Sequence, residues 1–177
     1  MRKFLINVIL ILLIFVIYFL QSNFFNWFTI AGIKPNLFVI YILFIGLFGN
    51  RSMGIIYGAL SGTLLDLLIE ERVGVNLVGL MLIGLIATIF SKNFSKDSRI
   101  TIMLMTFGST IIFEVITYFL NYVLFSINVE VFRFISILLV EAIYNVILII
   151  ILYPLIQKFG YYIENEYKGN RILTRYF

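Results

Sequence analysis

Residues 53–66 read MGIIYGALSGTLLD, an apolar segment in which Gly54, Gly58, Gly62 and Asp66 recur at every fourth position. Residues i and i+4 share one face of an α-helix, so the spacing predicts a helix with three glycines in a row that ends in a carboxylate. Small residues at this spacing let the backbones of two membrane helices approach closely. We expect this glycine face either to pack within the chain, the more common use, or to bind a helix of another protein.

The composition of the whole chain predicts an all-α integral membrane protein. Of the 177 residues, 62% are apolar and only 12% are charged, against roughly 25% charged residues in soluble domains. Six helices of about 20 residues fit this length as a single bundle over residues 1–177. The first apolar run is longer than a signal-peptide core and lacks a small-residue cleavage site, so we interpret it as a retained span. The predicted spans are 4–20, 37–49, 53–69, 73–90, 100–127 and 134–156.

The distribution of basic residues predicts the orientation. Ten of the 13 Lys and Arg residues fall on one side of the predicted bundle, and such residues concentrate in cytoplasmic loops. We therefore expect a multi-pass membrane protein with both termini in the cytoplasm. Residues 157–177 are expected to form an interfacial tail that binds anionic lipid or a cytoplasmic partner, or is merely a solvated end. The ten residues are Arg2, Lys3, Arg51, Lys92, Lys96, Arg99, Lys158, Lys168, Arg171 and Arg175.

The residue types that are missing argue against an enzyme. The sequence has no cysteine and no histidine, which excludes thiolate nucleophiles, imidazole bases and most transition-metal sites. It also has no phosphate-binding loop and no dinucleotide fingerprint. We expect neither a cofactor nor a metal site. The net charge of +4 is explained by cytoplasmic loops rather than by nucleic-acid binding.

Three acidic residues lie inside the apolar runs, namely Asp66, Glu114 and Glu141. A charged carboxylate in mid-membrane costs about 2.5–3.5 kcal/mol, so each should face the bundle interior, a cavity or a partner. Three solutions are open: protonation, a charge from another subunit, or hydrogen bonds to Thr117, Asn121 or Asn145. The carboxylates could form a proton or cation path, or could only hold helices together. Asp66 could also be a solvated cap at the end of its helix.

Three short motifs carry a resemblance to a known family. Lys34-Pro35-Asn36 precedes the second run, the glycine-rich segment from Gly58 through Gly62 ends in Asp66, and Val73-Gly74-Val75 follows. These motifs resemble the signature of the rod shape-determining protein MreD family, except that Val73 replaces the more usual leucine. The motif residues are Pro35, Asn36, Gly58, Gly62, Asp66 and Gly74.

The resemblance implies a non-enzymatic component of the bacterial cell-elongation machinery that is required for rod shape. It implies binding to MreC and a link from MreB filaments to RodA and a class B penicillin-binding protein. It also implies a bundle similar to the substrate-binding subunits of energy-coupling-factor transporters. The alternative is a small-molecule-binding membrane subunit of a vitamin-type transporter. In either case we expect Gly54, Gly58, Gly62 and Asp66 to form a helix-docking surface or the wall of an outward-facing pocket.

Overall fold

The computed structural model describes residues 2–50, 52–68, 73–93, 96, 98–126 and 130–168. Within these ranges the chain is helical and has no strand, which confirms the all-α fold class. Six α-helices are described: α1 Arg2–Ser22, α2 Leu37–Phe48, α3 Met53–Leu68, α4 Val75–Asn93, α5 Arg99–Phe125 and α6 Val131–Lys168. The first five agree with the predicted spans to within three residues at each end.

Three of the described helices are long and apolar enough to cross a membrane, judged by length and composition. They cover Arg2–Asn26, Arg99–Phe125 and Val131–Tyr167, so they correspond to α1, α5 and α6. The other three apolar helices are shorter. α1 buries a single stripe of side chains, formed by Ile6, Leu10, Ile14 and Ile17, and most of its other apolar side chains are exposed.

The short helix α2 lies at the centre of the bundle. Its 12 residues extend about 18 Å, less than the roughly 30 Å of a hydrocarbon layer. Every residue of α2 except Phe44 is buried, as expected for a helix that is apolar all round. α2 contacts α4, α3, α6 and α5. The second apolar run is therefore a core helix enclosed by its neighbours, rather than a full-length span by itself.

The bundle has two ends that differ in their polar contacts. At the first, which we call the Asp66 end, lie the C-terminus of α1, the N-terminus of α2 and the joint between α3 and α4. At the opposite end, which we call the Lys96 end, Lys96 Nζ pairs with Glu164 Oε1 at 2.6 Å and Arg2 pairs with Glu166 at 3.4 Å. Lys34 and Arg133 lie in segments at the Asp66 end. The described Lys and Arg residues are therefore unequally divided between the two ends, as the sequence predicts.

Helix α6 differs from the predicted last span because it continues to Lys168. The first part of the expected tail, residues 157–168, is therefore a helical extension packed on the Lys96 end. A Cβ atom on Gly160 would lie 2.6 Å from the Phe48 ring, and the Tyr167 hydroxyl donates to Asn7 Oδ1 at 2.7 Å. Residues 169–177, which include Arg171 and Arg175, and the side chain of Lys168 lie outside the description, as do Arg51 and Arg72.

Candidate functional site

The glycine face of α3 packs against α4 of the same chain. A Cβ atom added to any of the three glycines would lie 2.4–2.5 Å from an atom of α4, closer than real Cβ contacts. The atoms concerned are Gly84 O for Gly54, Leu80 O for Gly58 and Leu77 Cα for Gly62. The close approach expected from the spacing is present, and its partner is the next helix along the chain.

This packing corrects one of the two interpretations of the glycine face. The backbone of α4 fills the groove of Gly54, Gly58 and Gly62, so no helix of another protein can enter it without displacing α4. On the second helix, Gly84 is the closest counterpart, because a Cβ atom there would lie 2.0 Å from the Gly54 carbonyl oxygen. The face therefore serves packing within the chain.

Asp66 caps the start of α4. Its carboxylate is only 1% exposed and accepts backbone hydrogen bonds from Gly74 at 2.7 Å, Asn76 at 3.0 Å and Leu77 at 3.1 Å. Carboxylates are stabilised at helix N-termini, where backbone N–H groups lack partners and the helix dipole is positive. Gly74 adopts a φ of +112°, a conformation that favours glycine. Asp66 is thus neither a solvated cap nor a free pocket wall, since both its oxygens are committed to α4.

Asn36, another of the motif residues, connects three helices. Its side chain accepts from the N–H of Val39 at 3.2 Å and so caps α2. Its own backbone N–H donates to Asn145 Oδ1 at 2.8 Å. Asn145 is fully buried on α6 and donates through Nδ2 to Thr110 Oγ1 of α5 at 2.9 Å. Asn36 and Asn145 therefore connect the N-terminus of α2 to both long helices.

Two neighbouring cavities lie at the Asp66 end, next to this junction. The first has a volume of about 300 Å³ and the second of about 320 Å³, and both are bordered by Gln21 and Asn36. The first is otherwise lined by Leu65, Val75, Asn76, Phe113, Glu114, Thr117 and Asn121. The second is otherwise lined by Gly32, Ile33, Lys34, Pro35, Ile137 and Glu141.

The two carboxyl groups of the long helices stand between these cavities. Glu114 of α5 lines the first cavity and Glu141 of α6 lines the second. The Glu141 carboxyl faces the side chains of both Glu114 and Asn36, and it is 8% exposed. Its Oε1 atom is buried and has no hydrogen-bond partner among the described residues. The structure thus brings Glu114, Glu141 and Asn36 together, and it leaves Asp66 to its separate capping role.

The chemistry of this site is that of hydrogen bonding. Carboxyl, amide and hydroxyl groups line the first cavity, and these groups accept and donate hydrogen bonds. In the described part of the chain, no group of three or more His, Cys, Asp or Glu residues is placed to hold a metal ion. The arrangement can hold a polar ligand or connect the helices that surround it.

Several residues of the site were not singled out from the sequence. Gln21 accepts from the N–H of Leu37 at 3.0 Å and borders both cavities, while Asn76 lines the first cavity at the start of α4. A glutamine at the end of an apolar run is typical of an ordinary helix end and does not by itself indicate a site. Gly84 could have been found, because a small residue on the following helix is the natural counterpart of a glycine face.

A comparison with family models finds a match that covers most of the chain. The model described as rod shape-determining protein MreD matches residues 1–163, which include the motif residues from Pro35 to Gly74 and both carboxyl groups of the cavities. No curated protein and no solved structure matches the chain.

Proposed function

The chain belongs to the MreD family of rod shape-determining proteins, which implies a role in rod shape determination, and on that premise we propose that it is a non-enzymatic membrane scaffold of the cell-elongation complex. In this role it binds MreC and links MreB filaments to the peptidoglycan synthases RodA and a class B penicillin-binding protein. All six helices lie in the bacterial inner membrane, and the Lys96 end faces the cytoplasm together with both termini.

The observation that carries this proposal is the length and position of α6. Its 38 residues extend about 57 Å, whereas a hydrocarbon layer measures about 30 Å. In its first half it contributes Glu141 and Asn145 to the Asp66 end, and in its last turns it contributes Glu164, Glu166 and Tyr167 to the Lys96 end. A continuous helix that contributes side chains to both ends of the bundle suits a protein that connects cytoplasmic filaments to synthesis outside the membrane.

The partner surface in this proposal is the exposed face of α5 around Gly108. A Cβ atom on Gly108 would meet nothing within 4 Å, and neighbouring side chains on the same helix, Ile100, Leu104 and Val115, are 47–70% exposed. A glycine on an exposed membrane-facing surface allows the backbone of another helix to approach closely. We assign the MreC membrane helix to this surface because α4 already fills the groove on α3.

Co-purification tests this assignment. Affinity-tagged wild-type protein extracted in mild detergent is expected to retain MreC. Gly108→Leu is expected to reduce the MreC recovered per mole of protein at least tenfold, because its side chain would hold the partner's backbone away. The matched control is Leu104→Ile, which keeps an apolar side chain of equal volume on the same face. Undiminished MreC with folded Gly108→Leu would remove this face from the interface.

The cavities favour a second candidate, a small-molecule-binding membrane subunit of a vitamin-type transporter with a bundle like that of energy-coupling-factor substrate-binding subunits. A volume of about 300 Å³ lies at the lower end of ligand pockets. This candidate predicts a vitamin-sized molecule retained through purification and a vitamin requirement on depletion. The scaffold predicts rounded cells on depletion, with no such requirement.

A further inference from the structure

We propose that Phe24, Trp27 and Phe28 form a lipid-binding surface at the Asp66 end, which we call the aromatic face, and that it inserts among the headgroups of the membrane. This surface is additional to the scaffold role and is separate from the face of α5 assigned to MreC. It rests on three observations: the exposure of the three rings, the way their segment is fixed to the bundle, and the length and charge of α1.

The three rings of the aromatic face point away from the bundle. Trp27 is 88% exposed, and Phe24 and Phe28 are about half exposed. The rings of Phe24 and Phe28 stack with their centroids 4.8 Å apart. Indole combines a large apolar ring with one N–H donor, which is why tryptophan is enriched at the membrane–water interface, where one end of the side chain is apolar and the other is wet.

The segment that carries the aromatic face is fixed to the bundle from its other side. Phe25 is buried and packs edge-to-face on Tyr144 of α6, with the ring centroids 6.3 Å apart. The Tyr144 hydroxyl donates to the carbonyl oxygen of Phe28 at 2.8 Å. Asn23 Nδ2 donates to the carbonyl oxygen of Phe19 at 3.0 Å, which satisfies an acceptor at the end of α1. The inward contacts thus hold the segment in place while the aromatic face stays outside.

The length and charge of α1 place the aromatic face at the edge of the membrane. The 21 residues of α1 extend about 32 Å, which matches the roughly 30 Å of a hydrocarbon layer. α1 begins at Arg2 and Lys3, whose charges stay outside the hydrocarbon, so its other end reaches the opposite boundary. The aromatic face follows that end within six residues, and residues 4–33 include no charged side chain that would oppose insertion. Lipid therefore covers this face without the need for a protein partner.

Fluorescence of the full-length protein tests the proposal directly, because Trp27 is the sole tryptophan of the chain. The protein is reconstituted into phosphatidylcholine nanodiscs whose acyl chains carry bromine, a quencher, either close to the glycerol or near the chain ends. We expect shallow bromine to reduce the Trp27 emission at least twofold more than deep bromine. Dissolved iodide is expected to quench Trp27 at least twofold less than it quenches free N-acetyltryptophanamide.

Three outcomes with the wild-type protein would overturn the proposal. Iodide quenching as strong as that of the free compound, with no effect of bromine, would place Trp27 in water. Stronger quenching by deep bromine would place it in the hydrocarbon. Protection from both iodide and bromine would mean that another protein chain or a second copy covers the aromatic face.

Two double variants calibrate the depth measurement. Trp27→Phe combined with Phe15→Trp moves the fluorophore to a half-exposed position near the middle of α1, where deep bromine is expected to quench more strongly than shallow bromine. Trp27→Phe combined with Phe28→Trp keeps it on the aromatic face, and shallow bromine should again quench more. The same bromine preference at residues 15 and 28 would contradict the assigned depth. Should a variant fail to fold, the wild-type measurement decides without any substitution.

Discussion

Asp66 Oδ2 accepts a hydrogen bond from the N–H of Gly74 at 2.7 Å, and this contact joins the end of α3 to the start of α4. Gly74 presents its N–H in the left-handed region, at a φ of +112°. The same carboxylate caps the first turn of α4 through Asn76 and Leu77. The contact therefore sets the register in which the glycine face of α3 meets α4.

Removing the Asp66 carboxylate is expected to destabilise the protein. Asp66→Ala leaves the first N–H groups of α4 without an acceptor, which should cost at least about 2 kcal/mol. Asp66→Asn keeps one acceptor and should cost less. The measurement is the thermal unfolding midpoint in detergent, with the exposed Glu130→Ala as control. An Asp66→Ala midpoint equal to that of the control would contradict the capping role.

A pair of glycine substitutions distinguishes packed from open helix faces. Gly58→Ala places a Cβ atom 2.4 Å from the Leu80 carbonyl oxygen, whereas Gly108→Ala meets nothing within 4 Å. We expect Gly58→Ala to lower stability by about 1–3 kcal/mol through overpacking. Gly108→Ala should leave it unchanged or raise it by up to about 1 kcal/mol, because alanine favours helix. Equal midpoints for the two variants would show that α3 and α4 do not pack as described.

The buried amide of Asn145 is expected to contribute to stability through its two partners. Asn145→Leu has a similar size but leaves the N–H of Asn36 without its acceptor and Thr110 Oγ1 without its donor, a cost of about 1–3 kcal/mol. Ser136→Ala on the same helix removes a hydroxyl of an exposed residue and should change little. Chemical denaturation of both variants in mixed micelles measures the difference. A loss in Asn145→Leu no larger than in Ser136→Ala would refute the junction.

The two ion pairs at the Lys96 end are expected to differ in strength. Lys96 and Glu164 lie 2.6 Å apart with side chains 11% and 25% exposed, while Arg2 in the other pair is 79% exposed at 3.4 Å from Glu166. Exposed pairs contribute little because solvent and salt screen them. A double-mutant cycle should therefore give a larger coupling energy for Lys96 and Glu164, with a weaker dependence on salt. The opposite ranking would mean that the α6 extension is not held as the structure shows.

The sequence predicted the elements that follow from local pattern. The fourfold spacing from Gly54 to Asp66 identified α3 and a close helix contact, because i and i+4 residues share a face regardless of the partner. The identity of that partner could not be read from α3 itself. It depends on Gly84, which is on another helix and 30 residues away from Gly54.

The sequence did not predict the positions that depend on long-range packing. The sequence of a 12-residue apolar helix does not distinguish a membrane span from a core helix. The enclosure of α2 by its neighbours was therefore not predicted. The sequence did not indicate that α6 continues to Lys168, where Gly160 and Tyr167 contact distant helices. The meeting of Glu114 with Glu141 likewise depends on how α5 and α6 are aligned.

Depletion of the protein in a rod-shaped host, followed by microscopy of living cells, measures the proposed scaffold role most directly. We predict that cells lose their cylindrical shape and become round as the protein disappears, and that re-expression of the wild-type chain restores rods. Cells that stay rod-shaped after the protein has fallen below detection would contradict the proposal.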